Sequence, residues 1–213
     1  IRQGIAPTRL HNNCSGKHAG FLATALTLGE TTQGYLDPDH PVQKRLYDIL
    51  TDLGGEDLAG TGRGIDGCGI PVYGMTLRAL VRAAQRMADP HSLGAVRGAA
   101  ADRVLDAVST HPYLVAGRGR FDTDVMTAFG GEIATKGGAE GVHVAILRKH
   151  KIGIALKTED GEKRAGDVAM AWLLEQVGVF NDARRKKLQA HISPQIVNAA
   201  GTEAGTIRVA APV

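Results

Sequence analysis

The stretch from Val142 to Leu156 constrains the fold of this chain more than any other. Val142-His143-Val144-Ala145-Ile146-Leu147 and Ile152-Gly153-Ile154-Ala155-Leu156 are β-rich runs joined by Arg148-Lys149-His150-Lys151. Two such runs around a short polar link read as an antiparallel hairpin. Most of what precedes them carries helical periodicity. Ala19 to Leu28 reads as a helix capped by Ser15 and ended by Gly29. Val42 to Leu53 places Val42, Leu46, Ile49, Leu50 and Leu53 on one face, with Gly54-Gly55 as the stop. Met75 to Met87 turns Leu77, Leu80, Val81 and Ala84 inward and ends at Asp89-Pro90, and a further helix covers about Leu93 to Val108 before His111-Pro112. Asp122 to Phe129 is a short helix ahead of a glycine cluster. After the hairpin, Asp160-Gly161 leads into a helix from about Lys163 to Val177, another covers about Asp182 to His191, and Gly205 to Ala211 reads as a last strand. Helices first, then a hairpin with helices packed on it, is an α+β fold with an antiparallel sheet.

Bulk properties narrow the class. With 43% hydrophobic but only 4% aromatic residues among 213, any core is built from Ala, Val, Leu and Ile. One domain spanning 1–213 is expected, and disorder is excluded by the aliphatic content and a net charge of only +3. The densest basic run, Arg184-Arg185-Lys186-Lys187, has no aromatic interleaving, so it reads as a solvated helix face and no nucleic-acid partner is expected. No apolar run reaches membrane-spanning length and no secretory leader is recognisable, so a soluble, cytoplasmic protein with no membrane partner is expected. The chain opens Ile1-Arg2-Gln3-Gly4 without an initiator Met and enters a motif-dense segment at once. That start is expected of a fragment lacking an N-terminal part.

The two cysteines stand beside other potential ligands. Cys14 lies in Asn12-Asn13-Cys14-Ser15-Gly16-Lys17-His18, and Cys68 in Gly64-Ile65-Asp66-Gly67-Cys68-Gly69. An isolated free cysteine commonly serves as a small buried hydrophobe. Here Cys14 and Lys17 are three apart at a helix start and share a face. Asp66 and Cys68 are two apart and share a face if extended. Two thiolates with one further oxygen or nitrogen donor suit zinc. Lys17 can ligate only after losing its proton, which burial next to a dication favours. His18 is a more usual ligand, or a partner that orients one.

Three segments taken together resemble the rhizobial-type L-asparaginase family, L-asparaginase II. They are His11-Asn12-Asn13-Cys14-Ser15-Gly16-Lys17-His18-Ala19-Gly20, Asp66-Gly67-Cys68-Gly69-Ile70-Pro71 and Lys136-Gly137-Gly138-Ala139-Glu140-Gly141, with Asp160-Gly161 and Arg164-Ala165 downstream. The resemblance implies a serine β-lactamase-like fold, hydrolysis of L-asparagine to L-aspartate and ammonia, and a homodimer. It implies a zinc ion on Cys14, Lys17 and Cys68, with Asp66 adjacent and the metal serving substrate binding more than hydrolysis. It also assigns Lys136 the position of the lysine in the Lys-Thr-Gly motif of β-lactamase-like enzymes.

One departure bears on activity. The family's chemistry uses Ser/Lys pairs, in which a neutral lysine takes the proton of a serine hydroxyl. The serines here are Ser15, Ser92, Ser109 and Ser193, and none has a lysine three residues on. The resemblance places the reactive serines upstream, so the fragment alone is expected to be inactive. The glycines flanking Lys136, Gly130-Gly131 and Gly137-Gly138, would let backbone N–H groups approach a substrate carboxylate or oxyanion. Asp66 could orient a ligand or bind a substrate amino group. The competing expectations are a zinc-binding module of the same fold without catalysis, and a glutaminase or β-lactamase-like acyl hydrolase.

Overall fold

The computed structural model describes residues 4–210. The opening Ile1-Arg2-Gln3 and the Ala211 end of the expected last strand lie outside them. Among the described residues the chain is α+β, as the periodicity indicates. It has α-helices α1 (Ser15–Thr27), α2 (Pro41–Gly54), α3 (Leu77–Ala88), α4 (Gly94–Thr110), α5 (Pro112–Ala116), α6 (Phe121–Phe129), α7 (Lys163–Gln176) and α8 (Asp182–Ile192). Its strands are β1 (Arg63–Ile65), β2 (Pro71–Tyr73), β3 (Ile133–Gly137), β4 (Val142–Leu147), β5 (Ile152–Lys157), β6 (Gln195–Val197) and β7 (Glu203–Thr206). They form three antiparallel sheets, β1-β2, β3-β4-β5 and β6-β7. None of the described helices is long and apolar enough to cross a membrane. The chain divides into two compact units, the first ending at Thr76 and the second beginning at Leu77.

In the first unit, α2 is closed at both ends by local chemistry. Pro41 starts it, His40 Nδ1 accepts the Val42 N–H at 3.2 Å, and Gly55 ends it at φ 61°. Gln43 is fully buried and donates to the Tyr35 carbonyl at 2.8 Å, tying the preceding loop to the helix. Tyr47 of α2 meets Tyr73 of β2 edge-on, with ring centres 5.1 Å apart. The start of α1 differs from the sequence expectation. Cys14, not Ser15, is the cap residue, because Asn12 accepts the Cys14 N–H on its side chain (2.7 Å) and the Ser15 N–H on its carbonyl (3.0 Å). The Asx turn at Asn12 takes over the role expected of the Ser15 hydroxyl.

The second unit is built on the β3-β4-β5 sheet. The 142–156 hairpin forms as read, with Leu147 opposite Ile152 and Lys151 at φ 55° in the link. Along β4 the residues alternate, with His143, Ala145 and Leu147 buried. The core joins that face to α6, α7 and α8 through Phe121, Phe129, Met170, Leu174 and Leu188. Helix α3 lies so close to β5 that a Cβ on Gly153 would come within 2.5 Å of the Val81 carbonyl and 2.4 Å of the Gln85 nitrogen. Of the inward face expected for α3, Ala84 is buried and Leu80 and Val81 are half-buried, but Leu77 is 47% exposed, and the buried residues are the small Ala79, Ala84 and Ala88. Strands β1, β2, β3 and β6 and helix α5 lack a periodic signal of their own, being three to five residues long.

Candidate functional site

The first cysteine motif sits at the entry to α1, where the Asn12 turn holds the Cys14 backbone. The second forms the tight connection between β1 and β2. Asp66 N–H donates to the Ile70 carbonyl at 2.9 Å, Gly69 N–H to the Asp66 carbonyl at 2.8 Å, and Gly69 adopts φ +92°. A left-handed backbone of this kind favours glycine. The turn points the Asp66 and Cys68 side chains to one side, where the Cys68 thiol lies 3.3 Å from Asp66 Oδ2.

These two segments, about fifty residues apart, meet within the first unit. The donor atoms of Cys14, Asp66 and Cys68 all lie within 4.8 Å of one another, and each residue is half-buried. Lys17 Nζ is 3.1 Å from Asp66 Oδ2. Both cysteines are free thiols. His18 is not part of this cluster. Its Nδ1 is 2.7 Å from the Tyr35 hydroxyl, and its Nε2 is buried without a hydrogen-bond partner.

Electrostatics within the cluster follow from its contacts. Burial works to lower the Lys17 pKa. The hydrogen bond to Asp66 and attraction to Cys14, Cys68 and Asp66 outweigh it, leaving the ammonium above its ordinary value. Asp66 is held below the usual carboxylate range by hydrogen bonds from Lys17 and Cys68. Burial pushes the Cys68 thiol up, with hydrogen bonds to Asp66 and Cys14 adding to it and the Ile70 N–H and Lys17 opposing it.

Lys136 belongs to the second unit and is the fourth residue of β3. Its side chain is exposed and its ammonium donates back to the Gly137 carbonyl. Of the glycines expected to present backbone N–H groups to a substrate, Gly137 and Gly138 have theirs engaged inside the fold. Gly137 N–H points at the Asp122 carboxylate, 3.1 and 3.0 Å from its two oxygens, and Gly138 N–H donates to the Val142 carbonyl at 2.7 Å.

Asp122 anchors a polar network that motif reading missed. It sits in the first turn of α6, buried, with Oδ1 2.8 Å from His143 Nε2. Thr135 Oγ1 is 3.0 Å from the same nitrogen and 3.3 Å from Asp122 Oδ1. On the other side of the ring, His143 Nδ1 is 3.8 Å from Asp167, which pairs with Lys163 at 2.5 Å. The one sequence signal was a histidine on the inward face of an apolar strand. Such a residue has to find a partner when buried.

The family model described as L-asparaginase II matches residues 1–209. The chain belongs to the L-asparaginase II family. A search of curated proteins found no match. Membership makes it an amidohydrolase-type chain of the asparaginase kind. In this L-asparaginase II member the donor set of the first unit is chemically suited to zinc. Two thiols and a carboxylate converge, and thiolate ligands favour zinc over hard cations such as magnesium. Lys17 can join only as a neutral amine, since an ammonium has no lone pair.

Proposed function

We propose that this protein hydrolyses L-asparagine to L-aspartate and ammonia, with a zinc ion held by Cys14, Lys17 and Cys68 and with Lys136 as the catalytic base on a serine β-lactamase-like scaffold. The observation that carries the reading is the convergence of Cys14, Asp66 and Cys68 donor atoms within 4.8 Å in a chain of the L-asparaginase II family. Zinc bound there supplies a fixed positive charge that favours an anionic substrate group. Cys14 and Cys68 would hold it as thiolates and Lys17 as a neutral amine, and Asp66, no longer paired with an ammonium, would be free to orient a ligand or receive a substrate amino group.

Lys136 in neutral form takes the proton of a serine hydroxyl as its oxygen attacks the side-chain amide carbon; the proton passes to the departing nitrogen, the C–N bond breaks and ammonia leaves an acyl-serine ester, which water hydrolyses to aspartate and the free serine. None of Ser15, Ser92, Ser109 and Ser193 stands three residues ahead of a lysine, so the Ser-x-x-Lys motif of this chemistry is absent from residues 1–213, and on this reading both that serine and the one that partners Lys136 are supplied from upstream of them.

Two measurements on the full-length gene product test the reading. Zinc content after purification is expected to fall in Cys14→Ser and in Cys68→Ser, and unchanged content in both rejects the site. Ammonia release is expected from L-asparagine well above L-glutamine. Equal or inverted rates favour a glutaminase, and zinc without any turnover favours a binding module.

A further inference from the structure

We propose that Asp122 and His143 are positioning residues for Lys136. They pin the two residues on either side of it and so set the direction in which its side chain leaves β3. The inference rests on the reading of Lys136 as the catalytic lysine and adds the parts that hold it.

Along a strand, neighbours of a residue face the side opposite to it. Thr135 and Gly137 therefore share the face turned away from the Lys136 side chain. Thr135 is 3% exposed, and its hydroxyl lies within reach of Asp122, of His143 Nε2 and, at 3.0 Å, of the Val144 carbonyl. Gly137 is gripped by its N–H, which both Asp122 oxygens accept. Its carbonyl in turn receives the Lys136 ammonium. His143 stands directly opposite Gly137 in the β3–β4 register and holds Asp122 in place.

The topology explains why side chains do this work. Among the described residues β3 is the edge of β3-β4-β5 and has a strand partner on one side only. Its other side lacks a ladder that would fix the backbone. A buried carboxylate is a costly substitute, because it has lost its hydration and is held only by its bonds. Apolar packing could stabilise the same junction, but it could not hold the Gly137 N–H at a set point.

The test uses the full-length gene product with Lys136→Ala, Asp122→Asn, His143→Leu and His143→Gln. Zinc content, kcat and KM for L-asparagine, and the backbone amide signal of Gly137 are recorded for each. Lys136→Ala is expected to abolish turnover. Asp122→Asn and His143→Leu are expected to lower kcat at least tenfold while KM stays within about twofold and zinc content is unchanged. His143→Gln keeps an N–H donor and is expected to recover most of what His143→Leu loses. The Gly137 amide signal is expected to move in Asp122→Asn. An inactive Lys136→Ala beside folded Asp122→Asn and His143→Leu of normal kcat overturns the inference and leaves the Lys136 reading standing. An active Lys136→Ala removes that reading and the inference with it. Should Asp122→Asn fail to fold, the His143→Leu and His143→Gln pair decides: equal kcat in the two rejects the positioning role.

Discussion

His143 Nε2 lies 2.8 Å from Asp122 Oδ1, and the two side chains are only 3% and 4% exposed. Because Asp122 is an ionised acceptor, the proton of this contact resides on the imidazole nitrogen. The pair closes α6 onto β4 inside the second unit.

The acid stability of the protein is expected to depend on this carboxylate. Burial works to raise the Asp122 pKa. Hydrogen bonds from His143 and the Gly137 N–H, with the attraction of His143 and Lys163, bring it down from 3.8 to about 2. A carboxylate with a depressed pKa in the folded state stabilises fully above its unfolded value and loses that contribution as pH falls through its folded one. The window therefore runs from about pH 4 down to about pH 2, and the loss is about 2 kcal/mol. Urea unfolding between pH 5 and pH 2 is expected to show it in the parent protein. An equal fall in Asp122→Asn would rule Asp122 out as the source.

A second expectation concerns backbone packing. Gly153→Ala would put a methyl group 2.4–2.5 Å from main-chain atoms of α3, so the helix and the sheet would have to part and loosen the packing between them. Destabilisation of about 3 kcal/mol is expected, at the upper end for overpacked sites. A shift in the denaturation midpoint small enough to mean under about 1 kcal/mol would show that α3 can lift off the sheet at little cost.

Metal uptake is expected to release protons. Free Lys17 and Cys68 both sit above their ordinary pKa values, so near neutral pH both are protonated before a cation arrives. Zinc affinity should accordingly rise with pH. Calorimetry in buffers of different ionisation enthalpy measures the number released. Binding heats that do not vary with the buffer would contradict ligation by these groups.

Lys136→Ala in the full-length protein is expected to lower kcat by roughly 10³-fold or more, as removal of a proton acceptor does in nucleophilic catalysis. Its fold and zinc content should not change, because the side chain is exposed and, among the described residues, bonds only to its neighbour's carbonyl. Turnover near that of the parent protein would exclude it as the base.

Much of the candidate metal cluster was legible in local sequence. Cys14, Lys17, Asp66 and Cys68 each stand in a motif whose spacing shows which side chains share a face, and the structure brings these four together. His18 shares the motif with Cys14 and Lys17 yet turns to Tyr35, seventeen residues away. Of the N–H groups expected to face a substrate beside Lys136, those of Gly137 and Gly138 are turned into the fold for a related reason. Glycine spacing shows that a backbone can approach something, but not that the partner of Gly137 is Asp122.

The sequence by itself determined the α+β class, the 142–156 hairpin, most helices and the ligand types available to a metal. Each depends on periodicity or neighbours within a few residues. Tertiary structure alone decided that Ala79, Ala84 and Ala88 and not Leu77 are the buried residues of α3, and that Asp122, Thr135 and His143 form one buried network with half-buried Asp167 beside it. Those outcomes turn on how closely two backbones approach and on which buried polar group finds which partner. Both are settled between elements distant in the chain.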